Sequence, residues 1–332
     1  MASEAPAEVP AGRRRVRILL RVLGGIGTLL VLIVLGLLLV PFGQRVDSSW
    51  RSKVASPRYV RNHPGVCFDE GHYNAHKASG RYRPLERLLL ADGYKTSRIG
   101  DRFGPADLVR CRVLVVANAA GGDRLRLGPI NLPIKRGGNR ADPAFTPLEI
   151  RLLTRWVERG GNLLLVADHA PFGQASRALA GAFGVVMHGG FAEVPTDSPA
   201  FASMGSAQFT KANGLLRPHP ITAGLSKIMT FTGQSLSGAG TPLLSLPDNA
   251  VEYMPPGPVL RPVPAAGHSQ AVALEAGKGR VVVLGEAGML SAQIGERGEK
   301  MGMNVPGNDN QPFALNVFHW LSRADGAHRT SP

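Results

Sequence analysis

Four short apolar runs, each followed by polar residues, constrain the fold of this 332-residue chain more than any other feature. They are "GVCF", "RVLVVANA", "NLLLVADH" and "GRVVVLGE", beginning at Gly65, Arg112, Asn162 and Gly279. Strands that are apolar on both faces are typical of parallel sheets covered by helices on each side. Amphipathic segments lie between these runs, so we predict an α/β fold with a mainly parallel sheet and helices on both faces.

The intervening segments carry the end signals of helices. "RPLERLLLADG" has Pro84 in its first turn and Gly93 at its end, as helices favour. "TPLEIRLLTRWVERGG" begins with a capping box of Thr146 and Glu149 and ends at Gly160. "QASRALAGAFG" and "QPFALNVFHWLSR" are also predicted to be helices, and "YKTSRIG" and "VVMHGG" are predicted to be strands.

A long loop and a Pro/Gly-rich region interrupt this alternation. We predict a loop over residues 120–146 and an elaboration of the same core over about 190–268, where Pro, Gly and Ser are frequent. "AVALEAGKGRVVVLGEAG" is typical of a hairpin with a Gly-Lys-Gly turn. We therefore expect a single α/β domain over residues 62–325, followed by a short tail over 326–332.

Residues 22–40 form an unbroken run of 19 uncharged, mostly aliphatic residues. A helix rises about 1.5 Å per residue, so this run matches a bilayer core of about 30 Å better than it matches a buried core helix. Arginines crowd before it, and positive residues favour the cytoplasmic side. We predict a single-pass membrane protein with a basic cytoplasmic tail (1–21), a transmembrane helix acting as an uncleaved anchor (22–42), a linker (43–61) and a periplasmic domain.

The net charge of +14 favours anionic surfaces or polymers. The sequence has no nucleic-acid recognition motif, so we expect no nucleic-acid partner. The two cysteines, Cys67 and Cys111, lie in or beside apolar runs without metal-type spacing. Buried free thiols are therefore expected, and a Cys67–Cys111 disulfide is the alternative for an exported domain.

Several motifs point to a known superfamily. The order of elements, with the late "GKGRVVVLGE" hairpin before a final helix, resembles the class I glutamine amidotransferase-like superfamily over roughly residues 62–323. "DEGHYNAHKASGRYRP", "ADHAPFG", "HPITAGL" and "NVPGNDNQPFALNVFHWL" resemble a membrane-anchored bacterial domain-of-unknown-function branch of it. The resemblance implies a flavodoxin-like or amidotransferase-like sheet with a polar cleft at the strand carboxyl ends.

The sequence departs from the superfamily at the catalytic position. Amidotransferases carry a nucleophilic cysteine in a tight turn after the strand that corresponds to "NLLLVADH". This chain has Asp168 and His169 there, and neither cysteine is near in sequence. Because no thiolate is available at that turn, glutaminase chemistry through an acyl-enzyme is excluded. GxSxG is also absent, which excludes the serine version of the elbow.

Polar residues follow several of the predicted strands. Ligands bind at the carboxyl ends of the strands in open parallel sheets, near the point where strand order reverses. The candidate ligand-binding residues at these positions and in the loop before the last helix are Asp69, His72, Asn74, His76, Asn118, Glu286 and Asp309. His188, just after "VVM", is expected to be a structural histidine.

Three functions remain open for these residues. The principal expectation is a ligand-binding or scaffold module for an unidentified small molecule or polymer. The alternative is a metal-dependent hydrolase in which a divalent ion such as zinc, held by some of His72, His76, Asp168 and His169, activates water. A third possibility is metal-free acid–base catalysis. The catalytic candidates are Asp168, His169 and Glu70.

Overall fold

A computed structural model describes residues 25–29, 43–122, 124–127, 130–133, 141–194, 206–255 and 261–323, with 124–127 and 130–133 as backbone only. Contacts divide the chain into two units, Met1–Gln44 and Arg45–Pro332. In the first unit the described residues are 25–29, which are helical, and 43–44, which are not. The predicted basic tail (1–21), most of the predicted membrane helix (22–42) and the tail 326–332 lie outside the described residues.

The second unit is a mixed α/β structure. Its strands are β1 (Arg45–Val46), β2 (Gly65–Asp69), β3 (Lys95–Ile99), β4 (Val113–Ala117), β5 (Arg124–Leu127), β6 (Ile130–Pro133), β7 (Asn162–Val166), β8 (Val185–Met187), β9 (Phe191–Glu193), β10 (Ser206–Thr210), β11 (Lys227–Phe231), β12 (Leu236–Gly238), β13 (Thr241–Ser245), β14 (Val251–Met254), β15 (Arg261–Pro264), β16 (Ser269–Ala276), β17 (Gly279–Leu284), β18 (Ala292–Ile294) and β19 (Lys300–Gly302). Its helices are α1 (Arg83–Ala91), α2 (Pro105–Val109), α3 (Pro147–Glu158), α4 (Phe172–Gly181) and α5 (Asn310–Ser322).

The four apolar runs are neighbours in one sheet. Strands β3, β2, β4, β7 and β17 pair in that order, and every pair among them is parallel. The chain therefore starts at β2, steps outward to β3 and returns across β2 to β4. Strand order reverses at this point, so the carboxyl ends of β2 and β4 lie beside the crevice where such sheets bind ligands.

The sheet continues with antiparallel strands beyond β17. Strand β16 pairs with β17 as the expected hairpin, and β12, β8 and β13 extend the sheet to nine strands. The sheet is therefore mixed, and less parallel than predicted. The Pro/Gly-rich region supplies much of this extension, together with the pair β10–β11 and the small sheet β15–β14–β9. Strands β5 and β6 form a hairpin within the predicted 120–146 loop.

Alternating residues of the central strands enter two separate cores. In β2, Val66 and Phe68 pack with residues of α1 and α5, whereas Cys67 packs with residues of α3 and α4. The other parallel strands of the apolar runs show the same alternation. Helices therefore cover both faces, which is why these strands are apolar at every position.

The predicted helix ends are observed where local chemistry defines them. Helix α3 begins at the capping box, in which the Thr146 hydroxyl accepts from the Glu149 amide at 3.3 Å and Glu149 Oε2 accepts from the Thr146 amide at 2.9 Å. Such a box satisfies amide groups that the first turn leaves unpaired. Pro84 lies in the first turn of α1, as expected.

The cysteines form a Cys67–Cys111 disulfide, so the expectation of free buried thiols is wrong. Cys67 lies on β2 and Cys111 lies just before β4, and these strands pair directly. Pairing of the two strands brings the Cα atoms to 5.5 Å, within the usual range for a disulfide. The disulfide, which the sequence predicted only as the alternative for an exported domain, is the state observed.

Residues 45–61 of the segment expected to be a linker lie in the second unit. Strand β1 pairs with β18, and Trp50, Val54 and Tyr59 pack against the core. The Tyr59 hydroxyl also hydrogen-bonds the Ser322 hydroxyl at 2.7 Å. Within the part of the chain that the structure describes, no helix combines the length and apolar character needed to cross a bilayer.

Candidate functional site

The carboxyl ends of four adjacent parallel strands place polar side chains along one edge of the sheet. Asp69 ends β2, Asn118 directly follows β4, and Asp168 and Glu286 lie two residues beyond β7 and β17. His76 joins them from the loop after β2. We call His76, Asn118, Asp168 and Glu286 the carboxyl-edge cluster. Its position agrees with the sequence prediction, because parallel strands present their carboxyl ends at the same edge.

His72 lies between two carboxylates. Its Nδ1 is 2.9 Å from Asp69 Oδ1, and its Nε2 is 3.0 Å from Glu149 Oε1. The ring packs against both Phe103 and Phe145, with centroid distances of 4.7 and 4.6 Å. Since each ring nitrogen faces an acceptor, the imidazole is held as a double donor, which is its protonated form.

The two carboxylates beside His72 stabilise its protonated form. Burial lowers the pKa of His72, but hydrogen bonds and charge from Asp69 and Glu149 outweigh burial and raise it. Burial raises the pKa of Glu149, and hydrogen bonds from Thr146 together with His72 lower it overall. His72 therefore links the loop after β2 to the start of α3. With both nitrogens engaged, His72 has no lone pair for the ion that the sequence prediction assigned to it.

Asn118 joins His76 to Asp168. Its Nδ2 is 3.0 Å from His76 Nδ1 and 3.4 Å from Asp168 Oδ2, and its Oδ1 accepts from the Asp168 amide at 2.8 Å. Because the Asn118 amide donates to His76 Nδ1, the remaining proton of the neutral ring lies on Nε2. Neither His76 Nε2 nor Asp168 Oδ1 has a hydrogen-bond partner, although both atoms are buried.

Asn118 adopts a backbone conformation that few residues accept. Its φ angle is +48°, in the left-handed region that asparagine tolerates better than most residues. This conformation lets the Asn118 carbonyl accept from the Ala75 amide at 3.0 Å, while its own amide donates to the Val166 carbonyl at 2.9 Å. The loop after β2 is thereby fixed against the end of β4, and His76 is held at the cluster.

Burial determines the protonation of the cluster. Burial, with a smaller effect of the Arg81 charge, lowers the pKa of His76 to about 3. Burial raises the pKa of Asp168, although the His169 charge, the Asn118 side chain and the His169 and Ala287 backbone amides lower it. Burial and the Asp168 carboxylate raise the pKa of Glu286 well above its usual value, although the Gly288 and Met289 amides donate to it at 2.5 and 2.7 Å. Both shifts favour the protonated carboxyl group, because burial and the charge of a neighbouring carboxylate disfavour ionisation.

Four other predicted residues have contacts that hold the fold. Glu70 accepts from the Ser79 amide and hydroxyl, both at 2.9 Å, and closes the loop after β2. Asn74 donates to Asp69 Oδ2 at 3.0 Å. His169 stacks on Phe191 with a centroid distance of 4.2 Å. Asp309 precedes α5 and accepts from the Ser226 and Lys227 amides at 2.6 and 3.0 Å, so it ties α5 to the start of β11. These contacts give Glu70 and Asp309 a structural explanation.

The predicted metal ligands do not come together as a set. Among the described residues, the group of three or more metal-ligating side chains with ligand atoms within 4.8 Å of one another is His188, Glu252 and His268. It contains none of the four histidine and aspartate residues predicted to hold zinc. Sequence reasoning interpreted His188 as structural and did not single out Glu252 or His268. The available signal was "HGG" over residues 188–190, directly after a strand.

Comparison with protein-family models and with curated proteins finds no match for this chain. Among solved structures, the chain is similar to the mmIFT52 N-terminal domain, with a TM-score of 0.51 and 14% identity over 81% of this chain and 100% of that domain. It also aligns at a TM-score of 0.39 and 12% identity with a protein described as a GMP synthase component from Thermoplasma acidophilum, over 80% and 96% of the two chains. A cold-adapted β-galactosidase from Rahnella sp. R3 aligns at 0.40 and 11%, over 79% of this chain and 31% of that one. The likeness to the mmIFT52 domain is one of fold.

Proposed function

We propose that this chain is a ligand-binding module whose site is the carboxyl-edge cluster. The observation that carries the proposal is the pair of buried polar atoms without a partner, His76 Nε2 and Asp168 Oδ1. Leaving such an atom unpaired costs about 1–3 kcal/mol. Asn118 holds both side chains in place, so a ligand that supplies one acceptor and one hydrogen-bonding group would recover this cost.

The protonation states favour a neutral polar ligand. His76 is uncharged at neutral pH because burial depresses its pKa, so the site offers an anion no positive imidazole. Asp168 and Glu286 both have raised pKa values through burial, and any charge they keep repels anions. A ligand bearing hydroxyl or amide groups fits these conditions, because such groups donate and accept in one molecule.

We also propose the finer fold assignment. The parallel strands β3, β2, β4, β7 and β17 follow the order 2-1-3-4-5 in the chain order of these five strands, which is the flavodoxin-like order. An amidotransferase-like domain without glutaminase chemistry is consistent with this order, since Asp168 follows β7 and both cysteines are joined in a disulfide. The ligand-binding function does not depend on this family assignment.

Residues 22–42 are proposed as a membrane anchor, with the domain on the extracytoplasmic side. The Cys67–Cys111 disulfide supports this location, because disulfides persist in oxidising compartments and are rare in the cytosol. The arginine-rich segment before residue 22 favours the same orientation. Cysteine labelling in intact and permeabilised cells, with a single reporter cysteine at Ser3 or Ser331 of the chain with both native cysteines replaced, would test it.

The binding proposal is tested by thermal shift followed by titration calorimetry with neutral sugars, polyols and amides. His76→Asn retains an acceptor toward Asn118 and removes the Nε2–H group, so binding should weaken at least tenfold. Asp168→Ala should weaken it similarly. His63→Asn, at the exposed surface, is the matched control and should leave affinity unchanged. Equal affinities in the wild type and both cluster variants would refute the assignment.

A further inference from the structure

A second cluster lies outside the carboxyl-edge cluster. His188 directly follows β8, His268 directly precedes β16, and Glu252 lies on β14. One ring nitrogen of each histidine and one oxygen of Glu252 lie within 4.8 Å of one another. The two imidazoles stack with centroids 4.4 Å apart and planes inclined by 17°. Three chain segments distant in sequence therefore bring two nitrogen donors and one oxygen donor to one place.

The carboxylate of Glu252 is buried without a cationic partner. The residue is 1% exposed, and no arginine or lysine among the described residues forms an ion pair with it. It accepts from the Gly190 amide at 2.8 Å, from the Ser235 amide at 3.2 Å and from the Ser235 hydroxyl. These bonds use three of about four acceptor positions on a carboxylate. A buried carboxylate is stable when it is paired or coordinates a metal.

Each histidine has one nitrogen engaged by a serine. His188 Nε2 is 2.9 Å from the Ser237 hydroxyl, and His268 Nδ1 is 2.9 Å from the Ser235 hydroxyl. The second nitrogen of each ring has no hydrogen-bond partner in the described part of the chain. Histidines that bind metals characteristically use one nitrogen for the ion, while the other is held by a hydrogen-bonding neighbour. Both imidazoles meet this condition, in contrast to His72.

The backbone at Gly190 lies close to the Glu252 side chain. A Cβ atom at Gly190 would lie 2.5 Å from Glu252 Cγ and 2.9 Å from its Oε1. Only glycine therefore allows the Gly190 amide to reach the carboxylate. Gly189 has a φ of +79° and donates its amide to Gln234 at 2.7 Å. The "HGG" sequence thus positions His188 and orients Glu252 at the same time.

We propose that His188, Glu252 and His268 bind a divalent zinc ion. Two imidazoles and one carboxylate are a donor set of zinc sites that keep a fourth position open for water or substrate. Donor atoms in a tetrahedral zinc site are about 3.3 Å apart, as metal distances of 2.0–2.2 Å require. The three donor atoms lie within 4.8 Å of one another in the structure. Shifts of about 1 Å per side chain would bring them to the separation that a zinc ion requires. This proposal is independent of ligand binding at the carboxyl-edge cluster.

The test is zinc binding by the full-length protein, purified in detergent without a polyhistidine tag and stripped with chelator. Elemental analysis after dialysis against zinc should give about one zinc per chain, and competition titration should give its affinity. His188→Ala, Glu252→Gln and His268→Ala should each weaken zinc binding at least 100-fold. Ser237→Ala should weaken it about 10–100-fold, because it removes a group that holds a ligand.

Two controls separate this site from other sources of zinc. His63→Ala removes an exposed histidine, and the double variant His76→Asn, Asp168→Asn removes two of the residues first predicted to bind metal. Both should retain one zinc per chain. The wild type should also melt at a higher temperature with zinc, by linkage of binding to folding, and this shift should vanish in Glu252→Gln. Absence of stoichiometric zinc, or zinc retained in all three ligand variants, would overturn the proposal.

Discussion

The buried imidazole of His76 should make the folded protein lose stability in acid. Its pKa falls from the usual 6.5 to about 3 in the folded chain, mainly through burial. Below pH 6.5 the unfolded chain binds a proton at this position and the folded chain does not. The stabilising contribution is therefore complete above pH 6.5 and is lost as the pH falls toward 3. Each unit of pKa difference corresponds to about 1.4 kcal/mol.

The magnitude follows from these two pKa values. Between pH 6.5 and 3 the loss would reach about 5 kcal/mol, and at pH 5 it is about 2 kcal/mol. His76→Asn keeps an acceptor toward the Asn118 amide and has no titrating group. Urea unfolding of wild type and variant at pH 7.5 and pH 5.0 measures the effect. Between pH 7.5 and pH 5.0, the unfolding free energy of the wild type should fall by about 2 kcal/mol more than that of the variant.

Comparing the two proteins removes the contribution of the other titrating groups, because these are present in both. His63→Asn, at the surface, controls for the loss of an imidazole as such. A wild-type-to-variant difference that is the same within about 0.5 kcal/mol at both pH values would refute the reasoning. The folded protein would then bind a proton at His76. In that case water would reach Nε2, and the Nε2–H group of His76 would not be an unpaired buried donor.

Two further predictions concern the contacts that support the site. Glu149→Ala should destabilise the fold by about 3 kcal/mol in urea unfolding, because it removes the α3 capping box and one of the two carboxylates that hold the buried His72; Glu158→Gln, at the exposed end of the same helix, should change stability by less than about 0.5 kcal/mol. Replacing Cys67 and Cys111 together by alanine should cost about 4 kcal/mol, as expected for opening a loop of 44 residues, and a reductant should have the same effect on wild type and none on the variant.

The features that could be predicted from the sequence are those governed by neighbouring residues. The apolar runs predict buried strands because a strand covered on both faces has no polar position. The start of α3 was predictable because Thr146 and Glu149 satisfy amides within one turn. The edge that carries Asn118 and Asp168 was also predictable, since parallel strands end at the same side. None of these inferences requires knowledge of distant contacts.

The roles of individual polar residues depend on contacts between distant segments. His72 was a reasonable metal candidate from its spacing, but Glu149, 77 residues away, occupies its second nitrogen. Asp309 looked like a ligand-binding residue in a polar loop, and it accepts from the Ser226 amide 83 residues earlier. A sequence pattern indicates which residue types lie at an edge, but it does not indicate which of their atoms are already hydrogen-bonded. His72 and His76 therefore look alike in the sequence, although both ring nitrogens of His72 are paired and one of His76 is not.

The same limit explains the missed histidine cluster and the disulfide. Glu252 and His268 lie in the Pro/Gly-rich region, whose short strands carry little periodicity, so the pairing that brings them to His188 could not be inferred. Cys67 and Cys111 became partners because β2 and β4 are adjacent, with Cys67 opposite Leu114. Sequence reasoning included this pairing only as an alternative, since burial alone accounts for many cysteines.

The two clusters share one structural element, and this bears on how the edge functions. Gln234 donates to the Ala167 carbonyl at 2.7 Å and accepts from the Gly189 amide at 2.7 Å, so it ties the segment before Asp168 to the segment after His188. Asn118 holds Asp168 from the other side. An unpaired buried atom persists only where its surroundings prevent collapse. The amide contacts of Gln234 and Asn118 supply that rigidity. A rigid site loses less conformational freedom when a ligand binds, so preorganisation strengthens binding. The acid sensitivity expected of His76 is therefore a consequence of holding this edge of the sheet ready for a ligand.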